Sequence, residues 1–180
     1  MSKVPTVEDI KYTHIIETMT MVAHHFYLSD EIDEPKYYVD MIHTITEAGA
    51  NDTIVIHLNT PGGHLHTGIQ LINAMKLTEA HVVCSLEATS HSLGTIIFLS
   101  ADERIVQPNS MMMFHNYHGG TYGKGNEQVA ELEATIRWFE QIARTIYVPF
   151  LTTAEVNRIL KGEDLWLLTD DIITRLKRLK

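Results

Sequence analysis

A chain of 180 residues, 44% of them apolar, with ten glycines and five prolines, has globular composition and buries roughly 70% of its unfolded surface on folding, enough for one sizeable core. Its 23 acidic and 14 basic side chains give a net charge of -9, which argues against a nucleic-acid surface, where Lys and Arg must be dense. One cysteine, Cys84, cannot form an internal disulfide, and no apolar run is long enough to span a membrane.

The first fourteen residues, MSKVPTVEDIKYTH, lack the basic and then apolar pattern of a secretion signal, so a soluble, cytoplasmic protein of one domain over residues 1–180 is expected. MVAHHFYLS (21–29) predicts a strand. Tyr38, Met41, Ile42, Ile45 and Ala48 then fall on one helical face between Pro35 and Gly49, which punctuate the helix. TIVIHL (53–58) is a short β-branched run that suits a strand covered on both faces.

That strand runs into NTPGG, after which Leu65, Ile69, Ile72 and Met75 mark a helix and HVVCSL (81–86) a second strand. Together they form a βαβ unit. Cys84 lies inside the second strand and reads as a buried residue. SLGTIIFLS, from Ser92, predicts a buried helix; ERIV and MMMFH (111–115) predict two more strands around the turn QPNS.

NYHGGTYGKGNE (116–127), with four glycines, is irregular. The helix after it carries Val129, Leu132, Ile136, Phe139, Ala143 and Ile146 at 3,4 spacing, a stripe that suits either the chain's own core or a partner subunit. Pro149 ends it; TTAE (152–155) is a capping box for a short helix stopped at Gly162, and TDD (169–171) can cap the last helix. The basic end RLKRLK reads as a solvated helix.

Three chemistries can be weighed on these residues. Ser92, at the start of a buried helix, is either an ordinary N-cap or a nucleophile, whereas Thr89 and Ser90 read as turn or cap groups. His115 ends an apolar strand, where it reaches the rim of a sheet as either a base or a structural histidine. Gly62 and Gly63 in NTPGG form a tight turn or a nest of amides for an oxyanion. No zinc spacing and no dinucleotide or phosphate-loop motif occurs, so no cofactor or metal is expected; His64 and His66 are not expected to share a helix face.

The ordered set LNTPGG, SHSLGTIIFLS and ERIVQPNSMMMFHNYHGGTYGKGNE resembles the proteolytic subunit of the Clp protease family (ClpP) from about Val22 to Trp166. The resemblance implies an α/β fold, a crotonase-like spiral of ββα units with a protruding strand-helix handle at about 116–148. It implies Ser92 as nucleophile, His115 as base, and the Gly63 and Leu93 amides as oxyanion hole. Gly119 and Gly120 would begin a strand that pairs with extended peptide substrates. The acid implied by counting from His115 is Asp164, with Glu163 and Asp170 in reserve; alignment through NR would instead select Ile159.

The family further implies homo-oligomeric rings, single or double heptamers, fed unfolded protein by an AAA+ unfoldase. His91 replaces a small alanine before the nucleophile, and the C-terminal segment departs from the family pattern, as in ClpP-like proteins carried by phages, which would act in the host cytoplasm. Two other functions stand beside the peptidase: a catalytically inactive ring or structural subunit, and a crotonase-like enzyme acting on acyl thioesters without a serine nucleophile.

Overall fold

The computed structural model describes residues 20–179, so the N-terminal leader lies outside the described residues. Among the described residues, six strands form one sheet: β1 (Ala23–Leu28), β2 (Thr53–Thr60), β3 (His81–His91), β4 (Glu103–Val106), β5 (Met111–Phe114) and β6 (Leu165–Leu168). The order is β1-β2-β3-β5-β6, with β4 also on β3, and only the β5–β6 pair is antiparallel. This is a mixed α/β fold with a mainly parallel sheet, as the Clp resemblance implies.

Six helices accompany it: α1 (Val39–Glu47), α2 (Leu65–Leu77), α3 (Leu93–Ser100), α4 (Gly125–Tyr147), α5 (Thr153–Leu160) and α6 (Thr169–Leu176). No helix among the described residues is long and apolar enough to cross a membrane. The expected βαβ unit is β2-α2-β3, with Thr53 to Leu58 in register with His81 to Leu86. On one face of these strands Ile54, Ile56, Leu58, Val82, Cys84 and Leu86 are buried, because side chains alternate across a strand. Burial pushes the Cys84 thiol pKa well above its ordinary value, as it must for an anion without solvent.

Three expectations are corrected. Strand β3 continues through Glu87 to His91, so Thr89 and Ser90 are strand residues instead of turn groups. They pair with Met111 and Met112 of β5. EDLWLL, which no sequence pattern claimed, supplies β6. Thr169 does not cap α6: its hydroxyl donates to the Ser110 carbonyl at 3.0 Å and accepts from the Ser110 amide at 2.8 Å, locking the turn before β5.

The capping box at Thr152 and Glu155 is present, and Gly162, with φ of 100°, closes the following turn. Glu155 also takes two hydrogen bonds from Arg175 at 2.7 and 2.9 Å, with both side chains only 15% exposed. The basic C-terminal segment is therefore docked through Arg175, and Arg178 donates to the Phe150 carbonyl; it is not simply solvated. On α4 the apolar stripe divides. Phe139, Ala143 and Tyr147 are buried, whereas Val129, Leu132 and Ile136 are exposed.

Candidate active site

The junction between β3 and α3 carries one of the two non-glycine residues with positive φ among the described residues. Ser92 occupies the N-cap position of α3 but makes no capping hydrogen bond, and its φ and ψ are 51° and -120°. A non-glycine residue in that region costs roughly 1–3 kcal/mol and persists only where its surroundings impose it. The surroundings here are identifiable. The Ser92 amide donates to the Met113 carbonyl at 2.8 Å, and its carbonyl accepts from the Thr95 amide at 3.0 Å and the Thr95 hydroxyl at 2.6 Å.

Thr95 in turn meets the Tyr147 hydroxyl at 3.1 Å. Since the threonine proton is committed to Ser92, the tyrosine is the donor. Burial pushes the Tyr147 hydroxyl pKa up to about 12, with the Thr95 hydrogen bond opposing it, so it stays protonated for that task. Neither residue was singled out by sequence. A threonine inside the apolar run LGTIIFLS was the available signal.

Glycine lets the backbone close around this serine. At Gly62, with φ of 102°, an added Cβ would lie 2.8 Å from the Ser92 Cβ and 3.1 Å from the Leu93 nitrogen. No other side chain fits there. The turn is tied by the Gly62 amide to the Thr60 hydroxyl at 3.1 Å, and by that hydroxyl to the Asp30 carbonyl at 2.7 Å.

Gly63 forms a parallel bridge with Ile32, in which the Ile32 amide bonds to the Gly62 carbonyl and the His64 amide to the Ile32 carbonyl. In that pattern the bridged residue's own N–H points away from its partner. The Gly63 amide therefore faces the side opposite Ile32. Gly63, Ser92 and Leu93 line a common cavity of about 320 Å³, whose wall also includes Tyr117, Gly119 and Gly120. Leu93 begins α3, so its amide is one of the helix donors without an intrahelical acceptor.

The two glycines thus reach the same cavity as Ser92, but not as the start of a strand: residues 116–124 contain none. The handle expected at 116–148 consists of this irregular segment and α4. The placement of His64 on the helix is also corrected, and its ring lies 5.3 Å from that of His66. His64 is the cap outside the helix and escapes the helical spacing that was applied to it.

The remaining candidates follow from register. Parallel pairing sets His91 beside Met113, so Ser92 and His115 lie just beyond the last rung of neighbouring strands. Antiparallel pairing sets Met113 opposite Trp166 and Phe114 opposite Leu165, and the next position in that register opposes His115 to Asp164. Both residues lie just outside the strands, and a ladder continued by that one rung would direct their side chains to the same face. Burial pushes the His115 imidazole below its ordinary pKa, the Asp164 charge raises it, and His118 lowers it.

The reserves separate on the same geometry. Asp170 lies beyond Leu168, which pairs with Met111 at the far end of β5. Glu163 is 3.5 Å from Arg158. Ile159 is buried in the core, where a carboxylate would have no water. His91, the residue before the serine, stands edge-on to Trp166 at 5.3 Å, and its pKa is lowered by burial and then by His115.

Asp164 and His115 do not form an ion pair within 4.0 Å, nor His115 and Ser92 a hydrogen bond, among the described residues. Such contacts are commonly long in a site without substrate.

Residues 10–164 match the Clp protease family. The chain belongs to that family. Among its curated relatives, an ATP-dependent Clp protease proteolytic subunit of Chlorella vulgaris is 30% identical over 52% of this chain and 48% of that protein. Subunit 1 of Salinibacter ruber is 25% identical over 68% of this chain and 54% of its own length. Subunit 2 of Pseudomonas aeruginosa is 23% identical, over 82% and 75%. The first of these Clp relatives is thus matched over about half of its length.

Proposed function

We propose that the chain is a serine endopeptidase subunit in which Ser92 is the nucleophile, His115 the general base and Asp164 the carboxylate that orients it. The observation that carries this reading is the strained, uncapped Ser92 beside the Gly63 and Leu93 amides. A serine that served only to start a helix would use its hydroxyl as a cap and would not need φ of 51°.

In the reaction His115 takes the proton from Ser92 Oγ as that oxygen attacks a peptide carbonyl carbon. The two amides receive the developing oxyanion, and His115 then protonates the departing amine. Water, deprotonated by His115, attacks the acyl-enzyme and restores the serine. Gly119 and Gly120 line the substrate cavity, where an extended peptide would bind through its main chain.

By family analogy the subunit acts on unfolded proteins within heptameric rings, single or stacked, supplied by an AAA+ unfoldase in the cytoplasm. The phage origin rests only on the sequence departures at His91 and the C-terminus. A fluorophosphonate probe tests the chemistry directly: wild type is expected to be labelled at one site, with labelling and peptide hydrolysis reduced at least about 10⁴-fold in S92A. Absence of labelling in assembled, folded wild type would overturn the peptidase reading. The gap between His115 and Asp164 favours a second reading, an inactive ring subunit, which predicts that result.

A further inference from the structure

On the face of the sheet opposite the core, three neighbouring strands bring His25, His57 and Glu87 into one line. Parallel register places His57 beside Tyr27 on one side and Ser85 on the other. His25 and Glu87 are each two residues along from those partners, and so leave the same face. His57 Nδ1 is 2.7 Å from Glu87 Oε1, and His57 Nε2 is 3.0 Å from His25 Nδ1. Tyr27 stacks flat on the His57 ring, at 4.3 Å and 7°, which fixes its plane.

The protons follow from this chain. An ionised carboxylate only accepts, so the Glu87 side of His57 is an Nδ1–H, and in the neutral ring that tautomer leaves a lone pair at Nε2. Only the N–H of His25 Nδ1 stands opposite it. Shifting the proton of neutral His25 to its other nitrogen gives two lone pairs at one spot on the surface.

We propose that His25 Nδ1 and His57 Nε2 are two ligands of a borderline transition-metal cation such as Zn²⁺, with Glu87 as the carboxylate that orients His57 from behind. Tetrahedral zinc with bonds of about 2.0–2.1 Å holds two ligand nitrogens roughly 3.3 Å apart. The two ring nitrogens stand 3.0 Å apart with ring centroids at 5.3 Å and planes 20° apart, so they face each other along one line. The exposed His25 ring must swing as well as open by a few tenths of an ångström to share an ion. A carboxylate on the far nitrogen of a ligating histidine is the usual second partner, because it fixes the tautomer and strengthens the donor.

No group of three metal-ligating side chains occurs among the described residues, so water or an incoming donor completes the shell. The two-histidine set selects zinc or nickel over magnesium, which requires oxygen ligands. His25 is exposed, whereas the His57 side chain is 18% exposed, so the ion enters from the His25 side. This site is independent of the chemistry proposed at Ser92.

Calorimetric titration of the full chain tests it, with Zn²⁺ as the probe and Mg²⁺ as the control. The expected result is one Zn²⁺ per chain with no Mg²⁺ uptake, at least tenfold weaker binding in H25A and in H57A, and roughly tenfold to hundredfold weaker binding in E87Q. Zn²⁺ should also raise the melting temperature of wild type but not of H25A, whose exposed position leaves the metal-free melting temperature unchanged. Equal Zn²⁺ affinity in wild type, H25A and H57A would overturn the site, as would no Zn²⁺ uptake by wild type.

Discussion

The two sides of the candidate site are held very differently. Around Ser92, backbone hydrogen bonds, the Thr95 and Tyr147 hydroxyls and two glycine approaches fix nearly every degree of freedom. Opposite it, His115 and Asp164 lie at the open ends of two short strands and have register in common but no bond. The proposed oxyanion donors are thus held by the fold, whereas no hydrogen bond joins Ser92, His115 and Asp164 among the described residues, and the proposed relay requires them to come together. This division matches the physics: electrostatic stabilisation requires rigid donors, and a base must be able to receive and release a proton.

Replacing the orienting carboxylate tests the looser side most severely. D164N is expected to lower peptide hydrolysis by about 10⁴-fold, measured as kcat/KM, with E163Q and D170N close to wild type. Comparable losses in E163Q would move the acid away from the register described here. The rigid side is broken by G68A, whose Cβ would collide with the Leu93 side chain. Displacing the first residue of α3 should cost about 1–3 kcal/mol in chemical denaturation and reduce probe labelling at the same time.

The Glu155–Arg175 pair joins α5 to α6. Glu155 is held down to about 2, first by the Arg175 hydrogen bonds. Its contribution to stability is therefore complete above the ordinary carboxylate value of 4.5 and is lost as pH falls toward about 2. E155Q should lose about 2 kcal/mol near neutral pH, and its deficit against wild type should shrink in acid melts. The smallest effect concerns pH and rate. Because His115 must be neutral to act and burial lowers its pKa, the acid limb of the probe-labelling profile should lie below the ordinary histidine value; H118A should move it up, and D164N down.

The rigid side was also the more legible one. The glycine turn, the buried helix from Ser92 and the strand ending at His115 could be read because each depends on local chemistry: positive φ, an apolar run, or a terminus. What escaped depended on pairing between distant segments. GluAlaThrSerHis (87–91) is polar enough to read as a loop, yet β3 runs through it, because β5 pairs with Thr89 to His91. Counting along the chain pointed to Asp164, but only the antiparallel register of β6 shows that it follows the Phe114–Leu165 end of the ladder, next to His115, while Asp170 lies past the other end. The α4 stripe reads as continuous in sequence, although packing buries just its C-terminal half, since periodicity reports a face and not what covers it.

The long central strand is bordered on one edge by two successors end to end: β4 along Val83 to Leu86, then β5 along Thr89 to His91. Glu87 and Ala88 pair with neither, so the sheet has a seam at that level. At the His91 end of this edge the Met113 carbonyl of β5 accepts from the Ser92 amide, and Met112, Phe114 and Leu167 of the β5–β6 ribbon are buried in the core. The segment that carries His115 is thus anchored both to the backbone of Ser92 and to the apolar interior, so a substitution that loosens it should be felt by the fold and the site together.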